Sequence, residues 1–263
     1  MINFWVLIPA RAGSTRLPNK PLADIDGKPM IAHVIEAAKK SGANKIIVAT
    51  DDQNVKNVSK SFGASSIMTN IKHESGSDRI AEVAEILKAP DDQIIVNLQG
   101  DEPLMPPSVI KKVAQLKEKN KKIQVTTVAT KINNFGEIGN PNCVKVILNK
   151  FNEAIYFSRS IIPYQRDQIN KSSNLVHNLS IRNSQFTYLR HVGIYCFQIG
   201  DLKKFVSWGP CQLELVEKLE QLRWLWNRKT IKVMIETEKL MHGVDTEEDL
   251  KKIRIFFQNK KTI

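Results

Sequence analysis

Short apolar runs alternate with amphipathic stretches through the first half of the chain, and this alternation limits the possible fold more than any other feature. Phe4–Ala10, Lys45–Thr50 and Ile94–Asp101 are rich in apolar and β-branched residues, as is typical of strands buried on both faces. Four segments between and after these runs show helical periodicity: Met30–Ser41, Gln53–Phe62, Ser77–Leu87 and Pro106–Lys119. The alternation predicts an α/β fold with a mostly parallel sheet and helices on both of its faces. Ligands in such folds bind beyond the carboxyl ends of the strands.

The pattern changes after about Val125, where strands follow one another without helices between them. Four segments have strand character: Val125–Thr130, Val144–Asn149, Ala154–Arg159 and His191–Phe197. They predict a small antiparallel extension, and helices are predicted again at Glu214–Trp226 and Thr246–Phe257. Ile169–Asn183 is rich in Asn and Ser and is predicted to be a mobile loop, its role open. Because no Pro/Gly/Ser-rich linker divides the sequence, we predict a single domain over residues 1–263.

The chain carries a formal net charge of +12 over 263 residues. Much of the excess lies in Lys111–Lys122 and Lys260–Lys261, which we interpret as solvated lysines, with Lys117 as an exposed example. A nucleic-acid-binding protein is the alternative, but the lysine runs lack interleaved aromatic residues. We therefore expect no nucleic-acid partner, although a basic protein attracts polyanionic small molecules.

Three scattered cysteines, Cys143, Cys196 and Cys211, give neither a disulfide framework nor metal-ligand spacing. They are expected to be buried and reduced. No apolar run approaches the roughly 18 residues of a membrane helix, so we expect no membrane partner and a cytoplasmic location.

A cationic loop, "IPARAGSTRLPNKPL", follows the first predicted strand. It carries Arg11, Arg16 and Lys20, and Gly13 and Ser14 offer backbone N–H groups close to a ligand. Arginine grips phosphate oxygens in pairs and lysine acts as a point charge, while prolines restrict the unbound loop. The loop therefore suits a polyphosphate, and a solvated loop whose prolines end a strand is the alternative.

Carboxylates stand at the ends of predicted strands. Asp101 and Glu102 in "VNLQGDEP" follow a buried strand, where they are placed to hold Mg²⁺ on a polyphosphate, and helix capping or a surface turn is the alternative. Asp51 and Asp52 are interpreted as structural, since "TDDQNV" is typical of a helix N-cap. Asp245 in "HGVDTEEDL" is either a turn residue or a partner of Asp101, and spacing alone does not decide.

The segment "HESGSDR", His73–Arg79, opens a predicted helix, and helix N-termini bind anions. Arg79 in that first turn opposes the helix dipole, which indicates a role outside the helix. His73 forms no HExxH motif, so we expect no zinc.

Taken in order, these motifs closely resemble the 3-deoxy-manno-octulosonate cytidylyltransferase family, the CMP-Kdo synthetases, nearly from end to end. The resemblance rests on the loop, helix and carboxylate motifs above and on four further segments: "NPNCVKV", "YFSRSIIP", "RHVGIYCF" and "LVEKLEQLRWL". It implies a Rossmann-like sheet of the nucleotide-diphospho-sugar transferase type, with a dimerisation and sugar-pocket extension around residues 130–200. It also implies a homodimer that transfers CMP from CTP to 3-deoxy-D-manno-octulosonate (Kdo) and releases pyrophosphate, with Mg²⁺ as cofactor, in lipopolysaccharide biosynthesis.

The same resemblance implies a role for each matching position. Arg11 and Lys20 match residues that hold the triphosphate, and Asp101 and Asp245 match the magnesium ligands. The cytidine-reading surface corresponds to Ala10, Ser75, Gly76 and Arg79, and the sugar-acid pocket to Gln99, Arg159, His191, Tyr195, Glu220 and Gln221. The residues alone leave an alternative to these sugar-pocket roles. Tyr195 in an alternating strand could be a core residue, and Glu220 could be an exposed helix residue. A cytidylyltransferase for 8-amino Kdo or sialic acid, and a basic nucleic-acid-binding protein, stay as alternatives.

Overall fold

The computed structural model describes residues 2–11, 13, 17–166 and 186–261. Ser14, Arg16 and the segment 169–183, on which predictions were made, lie outside the described residues. The strands are β1 (Phe4–Ala10), β2 (Asp24–Ile25), β3 (Lys28–Pro29), β4 (Lys45–Thr50), β5 (Ser65–Met68), β6 (Ile94–Asn97), β7 (Val125–Lys131), β8 (Lys145–Leu148), β9 (Ala154–Ser158), β10 (Leu189–Gln198) and β11 (Ile231–Glu236). The α-helices are α1 (Met30–Lys40), α2 (Gln53–Ser61), α3 (Gly76–Ile86), α4 (Pro107–Lys119), α5 (Phe135–Gly139), α6 (Ile199–Ser207), α7 (Gln212–Glu217), α8 (Leu222–Trp226) and α9 (Glu247–Lys261).

The chain forms two compact units. Unit 1 comprises Met1–Lys121, Gly193–Ser207 and Leu240–Ile263, and unit 2 comprises Lys122–Val192 and Trp208–Lys239. The boundary falls within β10, whose first residues belong to unit 2 and whose last residues belong to unit 1. The predicted extension around 130–200 overlaps unit 2, and the single-domain organisation stays a prediction.

Unit 1 contains the predicted parallel sheet. Its strands lie in the order β6, β1, β4, β5, and each neighbouring pair is parallel. All seven residues of β1 are buried, because the strand has a neighbour on both edges. The end of β10 pairs antiparallel with β6, with Tyr195 opposite Asn97. The α/β prediction with a mostly parallel sheet is therefore confirmed.

Local signals in the sequence place the helix starts of unit 1. The Asp52 side chain accepts a hydrogen bond from the Val55 N–H at 2.8 Å and caps α2, which confirms its structural interpretation. Pro106 and Pro107 open α4, where a missing N–H breaks no helical hydrogen bond. The predicted helices of this unit are thus confirmed to within a few residues.

Lys117 contradicts the prediction of an exposed lysine. It is 0% exposed and lies on the buried face of α4 with Val113 and Ala114. Its Nζ donates to the Lys121 carbonyl at 3.2 Å and to Gln198 Oε1 at 3.3 Å, and it lies 3.7 Å from Asp201. Burial is the main cause that lowers the pKa of Lys117.

Unit 2 carries the antiparallel pairing that the sequence predicted. Strand β8 pairs antiparallel with β9 and with the start of β10, while β7 and β11 pair in parallel. The single helix predicted over Glu214–Trp226 is wrong, since α7 ends before Lys218 and α8 begins at Leu222. Lys218 has a φ of 52°, and this left-handed conformation ends α7.

All three cysteines are buried and none forms a disulfide bond, as expected. Across the part of the chain that the structure describes, no helix combines the length and the apolar character that crossing a bilayer requires.

Candidate active site

A cavity of about 290 Å³ in unit 1 opens at the carboxyl ends of β1 and β6. It is bounded by the end of β1, the turn before β2, the start of α3, the segment after β6 and the segment before α9. The lining residues are Pro9, Ala10, Arg11, Lys20, Pro21, His73, Glu74, Ser75, Gly76, Arg79, Gln99, Gly100, Asp101 and Asp245. Nine of the predicted site residues line this cavity, although they are widely separated in the sequence.

Lys20 enters the cavity from a short 3₁₀ turn, Lys20–Leu22. Leu17 on one side of this turn packs in a hydrophobic cluster with Ile25, Met30 and Val244. The cluster fixes two chain segments at once, because Val244 immediately precedes Asp245. Apolar packing thereby brings Lys20 and Asp245 together despite a separation of 225 positions.

The ammonium group of Lys20 contacts both predicted metal-ligand carboxylates. Its Nζ lies 2.6 Å from Asp101 Oδ2 and 3.2 Å from Asp245 Oδ1, and it donates to the Val244 carbonyl at 3.0 Å. The side chain of Lys20 is 15% exposed, whereas that of Asp245 is 54% exposed. Burial by itself lowers the pKa of Lys20, but the charges and hydrogen bonds of Asp101 and Asp245 outweigh it and leave the pKa raised.

Two glycines permit the close approach of the segments that carry these groups. A Cβ on Gly100 would lie 2.9 Å from the Pro9 carbonyl oxygen and 3.3 Å from the Ala10 Cβ. A Cβ on Gly243 would lie 2.9 Å from Glu102 Oε1 and 3.1 Å from the Asp101 carbonyl oxygen. The Val244 N–H donates to that same carbonyl at 2.9 Å. A side chain at either glycine would push the cavity walls apart.

The start of α3 forms another wall. Ser75 caps the helix, accepting from the Asp78 N–H at 3.1 Å and donating to Asp78 Oδ2 at 2.8 Å. Arg79 is only 2% exposed and donates to Asp51 Oδ2 at 2.7 Å and to Thr69 Oγ1 at 2.5 Å. Its side chain therefore leaves the helix, as its unfavourable position in the first turn predicted.

Five lining residues were not predicted as site residues: Pro9, Pro21, His73, Glu74 and Gly100. His73 and Glu74 line the cavity, and His73 Nε2 lies 2.6 Å from Glu82 Oε2. The interval of nine residues between His73 and Glu82 crosses a loop and two helical turns, so no simple spacing rule would have paired them.

Unit 2 carries four of the predicted sugar-pocket residues: Arg159, His191, Glu220 and Gln221. The Arg159 guanidinium donates to the carbonyls of Pro141, Glu217 and Lys218. Glu220 and Gln221 lie in the turn between α7 and α8 rather than within one helix. The Gln221 side chain is buried, and its Nε2 has no hydrogen-bond partner among the described residues.

His191 is buried in unit 2 and Tyr195 is half-buried in unit 1. The His191 ring lies 3.0 Å from Thr127 Oγ1 through Nε2 and packs edge-on against Phe157 at 4.9 Å. Burial, with a smaller effect of the Arg190 charge, lowers the pKa of His191 to about 3, so the ring is neutral at pH 7. Its donor is therefore a neutral N–H and not an imidazolium.

The parallel sheet, with a cavity of cations and carboxylates at the carboxyl ends of its strands, defines an α/β protein of the class that binds ligands at this edge. A family model described as cytidylyltransferase matches residues 5–231, and the chain belongs to this family. Within the family it is similar to 3-deoxy-manno-octulosonate cytidylyltransferases. The protein of that name from Haemophilus influenzae is 51% identical over 253 residues, 96% of this chain and 98% of the relative. That from Coxiella burnetii is 46% identical over 97% of this chain and 100% of the relative.

A solved structure gives the same relationship in three dimensions. CMP:2-keto-3-deoxy-manno-octonic acid synthetase complexed with CTP superimposes with a TM-score of 0.86 at 38% identity. The match covers 98% of this chain and 100% of the other.

Proposed function

We propose that this protein transfers CMP from CTP to Kdo and releases pyrophosphate, in lipopolysaccharide biosynthesis. The observation that carries the proposal is the unit 1 cavity, in which the cationic Arg11 and Lys20 stand beside Asp101 and Asp245. A triphosphate needs cations, and a metal on that triphosphate needs carboxylate oxygens. The names of the relatives and of the structure with CTP support the choice of substrates.

This reaction requires mainly that the protein position the two substrates and stabilise the charge on the phosphates. The anomeric hydroxyl of Kdo attacks the α-phosphorus of CTP as pyrophosphate departs on the opposite side. In this proposal Arg11 and Lys20 hold the triphosphate and stabilise the charge that develops on the leaving group. Ala10, Ser75, Gly76 and Arg79 form the surface for the cytidine, with Arg79 kept rigid by Asp51 and Thr69.

Magnesium is the proposed cofactor, and the donor set fits it. The described residues contain no group of three or more His, Cys, Asp or Glu side chains arranged for a metal. Two carboxylates nevertheless converge on the Lys20 ammonium, and Mg²⁺ is commonly held by one or two carboxylates together with substrate phosphates. Asp101 and Asp245 would hold the ion, which would neutralise triphosphate charge and lower the pKa of a bound hydroxyl.

The sugar acid needs donors for its carboxylate and partners for its hydroxyls. We assign these contacts to Gln99, Arg159, His191, Tyr195, Glu220 and Gln221. The buried Gln221 amide supports this assignment, because a buried donor without a protein partner among the described residues suits a ligand hydroxyl.

Pyrophosphate release from CTP and Mg²⁺ tests the proposal, with Kdo, 8-amino Kdo, N-acetylneuraminate or no sugar as acceptor. Release that depends on Kdo supports it. If another sugar acid gave a higher kcat/KM than Kdo, that acid would be the substrate. If none of the acids caused pyrophosphate release, the proposed reaction would be wrong and the cavity would bind a different anion.

We also propose a homodimer, formed through unit 2, in the cytoplasm. Large apolar side chains of unit 2 are exposed, among them Ile155 on β9 and Val216 on α7, the latter 83% exposed. Light scattering on the Ile155→Asp variant should give a monomer, whereas Ile71→Asp, at an exposed apolar residue of unit 1, should stay dimeric. Three cysteines that form no disulfide bond and a nucleotide substrate agree with a reducing compartment, which cell fractionation would test.

A further inference from the structure

Unit 2 buries a lysine whose entire hydrogen-bonding capacity is directed at backbone carbonyls. Lys145 on β8 is 0% exposed. Its Nζ donates to the carbonyls of Asn140 at 3.0 Å, Cys143 at 2.6 Å and Arg159 at 2.6 Å, which uses all three N–H bonds of an ammonium group. Burial is the main cause that lowers the pKa of Lys145.

Burying a lysine at this position costs folding free energy. A buried ammonium loses its hydration, and apolar residues of similar volume commonly replace buried ions without loss of stability. The strand already pairs through its backbone, with Lys145 opposite Ser158 of β9 and Arg190 of β10. The lysine side chain therefore adds something other than strand pairing, namely a fixed link between the 140–143 turn and Arg159.

Glu217 also binds Arg159, through the backbone N–H where Lys145 binds the carbonyl. Its Oε2 accepts from the Arg159 backbone N–H at 2.9 Å, and its Oε1 accepts from Ser158 Oγ at 2.6 Å. The Glu217 carbonyl also accepts from Arg159 Nε at 2.6 Å. Both backbone groups of Arg159 are thus bound by charged side chains, the carbonyl by Lys145 and the N–H by Glu217.

The guanidinium of Arg159 is fixed by the segments that these two residues join. Nη1 donates to the Pro141 carbonyl at 2.9 Å, within the turn that Lys145 holds, and Nη2 donates to the Lys218 carbonyl at 3.3 Å. With the bond from Nε, three of the five guanidinium N–H groups are directed at protein, and the other two have no partner among the described residues. The result is a rigid cation with N–H groups left for a ligand.

We propose that Lys145 and Glu217 are positioning residues that hold Arg159 ready for the carboxylate of the sugar acid. This inference rests on the proposed function, because it takes Arg159 as a sugar-binding residue. A guanidinium whose orientation is set before binding loses less entropy when it grips a carboxylate. Without Lys145 or Glu217, Arg159 would still be present, but it would sample orientations that do not meet the substrate.

The test compares Lys145→Met with Lys117→Met in the full chain, measuring KM for Kdo, KM for CTP and thermal unfolding. Both variants remove a lysine that is 0% exposed, but Lys117 is in unit 1, where its Nζ donates to Lys121 and Gln198. Lys145→Met should raise KM for Kdo roughly tenfold or more while KM for CTP changes less than about twofold. Lys117→Met should leave both KM values near those of the unmodified protein, and thermal unfolding shows whether each variant is folded.

Glu217→Gln is the second variant, and it decides the question if Lys145→Met does not fold. The amide keeps the shape of the carboxylate but accepts at one end only, so the same selective rise in KM for Kdo is expected. Unchanged KM for Kdo in the folded variants, or equal rises in KM for Kdo and CTP, would overturn the positioning role. Failure of the unmodified protein to use Kdo at all would instead overturn the proposed function, so the two failures are distinguishable.

Discussion

Replacing Lys20 by Met removes the cation that holds Asp101 and Asp245 together. At 2.6 Å and an effective dielectric constant of about 20, the gross attraction between Lys20 and Asp101 is about 6 kcal/mol. Burial of the ammonium offsets most of that attraction, and a charge-assisted hydrogen bond contributes about 1.5–3 kcal/mol net. The bond to Asp245 adds little, because that carboxylate is more than half exposed and is screened by solvent. We therefore expect the variant to lose about 2 kcal/mol of unfolding free energy at pH 7.

Magnesium should reverse part of this loss. In the variant two carboxylates face one position without a competing ammonium, so Mg²⁺ alone should bind there more tightly than in the unmodified protein. With a Kd of about 1 mM, 10 mM Mg²⁺ would add about 1.4 kcal/mol, or roughly 3–5 °C in unfolding temperature for a chain of this length. The unmodified protein should gain much less without nucleotide.

Thermal unfolding of the two proteins, with 10 mM MgCl₂ or with NaCl of equal ionic strength, provides the measurement. Lys60→Met is the matched control, since Lys60 is an exposed lysine of the same unit. Equal Mg²⁺ stabilisation of Lys20→Met and the unmodified protein would refute the reasoning, and so would a Lys20→Met variant as stable as Lys60→Met.

The remaining predictions concern single groups of the site. Asp101→Asn should keep the fold but lose most Mg²⁺-dependent pyrophosphate release, and near-normal turnover would remove Asp101 from the site. Arg11→Ala should raise KM for CTP roughly ten- to a hundredfold, whereas Lys60→Ala should leave it unchanged, and equal effects would contradict phosphate binding by the loop. His191 takes up a proton near pH 6.5 when unfolded but only at about pH 3 when folded, so acid favours the unfolded chain. Urea unfolding should show stability falling below pH 6.5 by up to about 1.4 kcal/mol per pH unit, with a shallower fall in His191→Asn, and parallel curves would contradict this. Kdo should be used with higher kcat/KM than N-acetylneuraminate, because buried donors left unpaired disfavour the wrong acid, and a preference for N-acetylneuraminate would refute the assigned pocket.

Features that depend on neighbouring residues could be predicted from the sequence. The apolar run of β1, the Asp52 cap of α2 and the prolines at the start of α4 each act within a few positions. Asp101 could be recognised as a strand-end carboxylate for the same reason. The meeting of Asp101 with Asp245 depends on the packing of Val244 and on the absence of a side chain at Gly243, which the motifs alone do not express.

Buried lysines show where reasoning from residue type fails. Lys117 was grouped with a solvated lysine run, yet it follows Val113 by four positions and lies on the same buried helix face. Lys145 likewise occupies a buried strand position, because its ammonium has three carbonyl acceptors within reach. The break between α7 and α8 was missed because Lys218 adopts a backbone conformation that its residue type does not favour.

The meeting of Lys20 with its two carboxylates also has a consequence for the growing polypeptide. Asp101 follows Lys20 by 81 positions and Asp245 follows it by 225, so the ribosome supplies the two acidic partners at well-separated times. A nascent chain can fold its first strands and join Lys20 to Asp101 while the second partner has not been translated. The pair of carboxylates on which the proposed metal depends arises only when translation has passed Asp245. Unfinished chains should therefore be unable to consume CTP, and turnover in a translation reaction would report the arrival of that last segment.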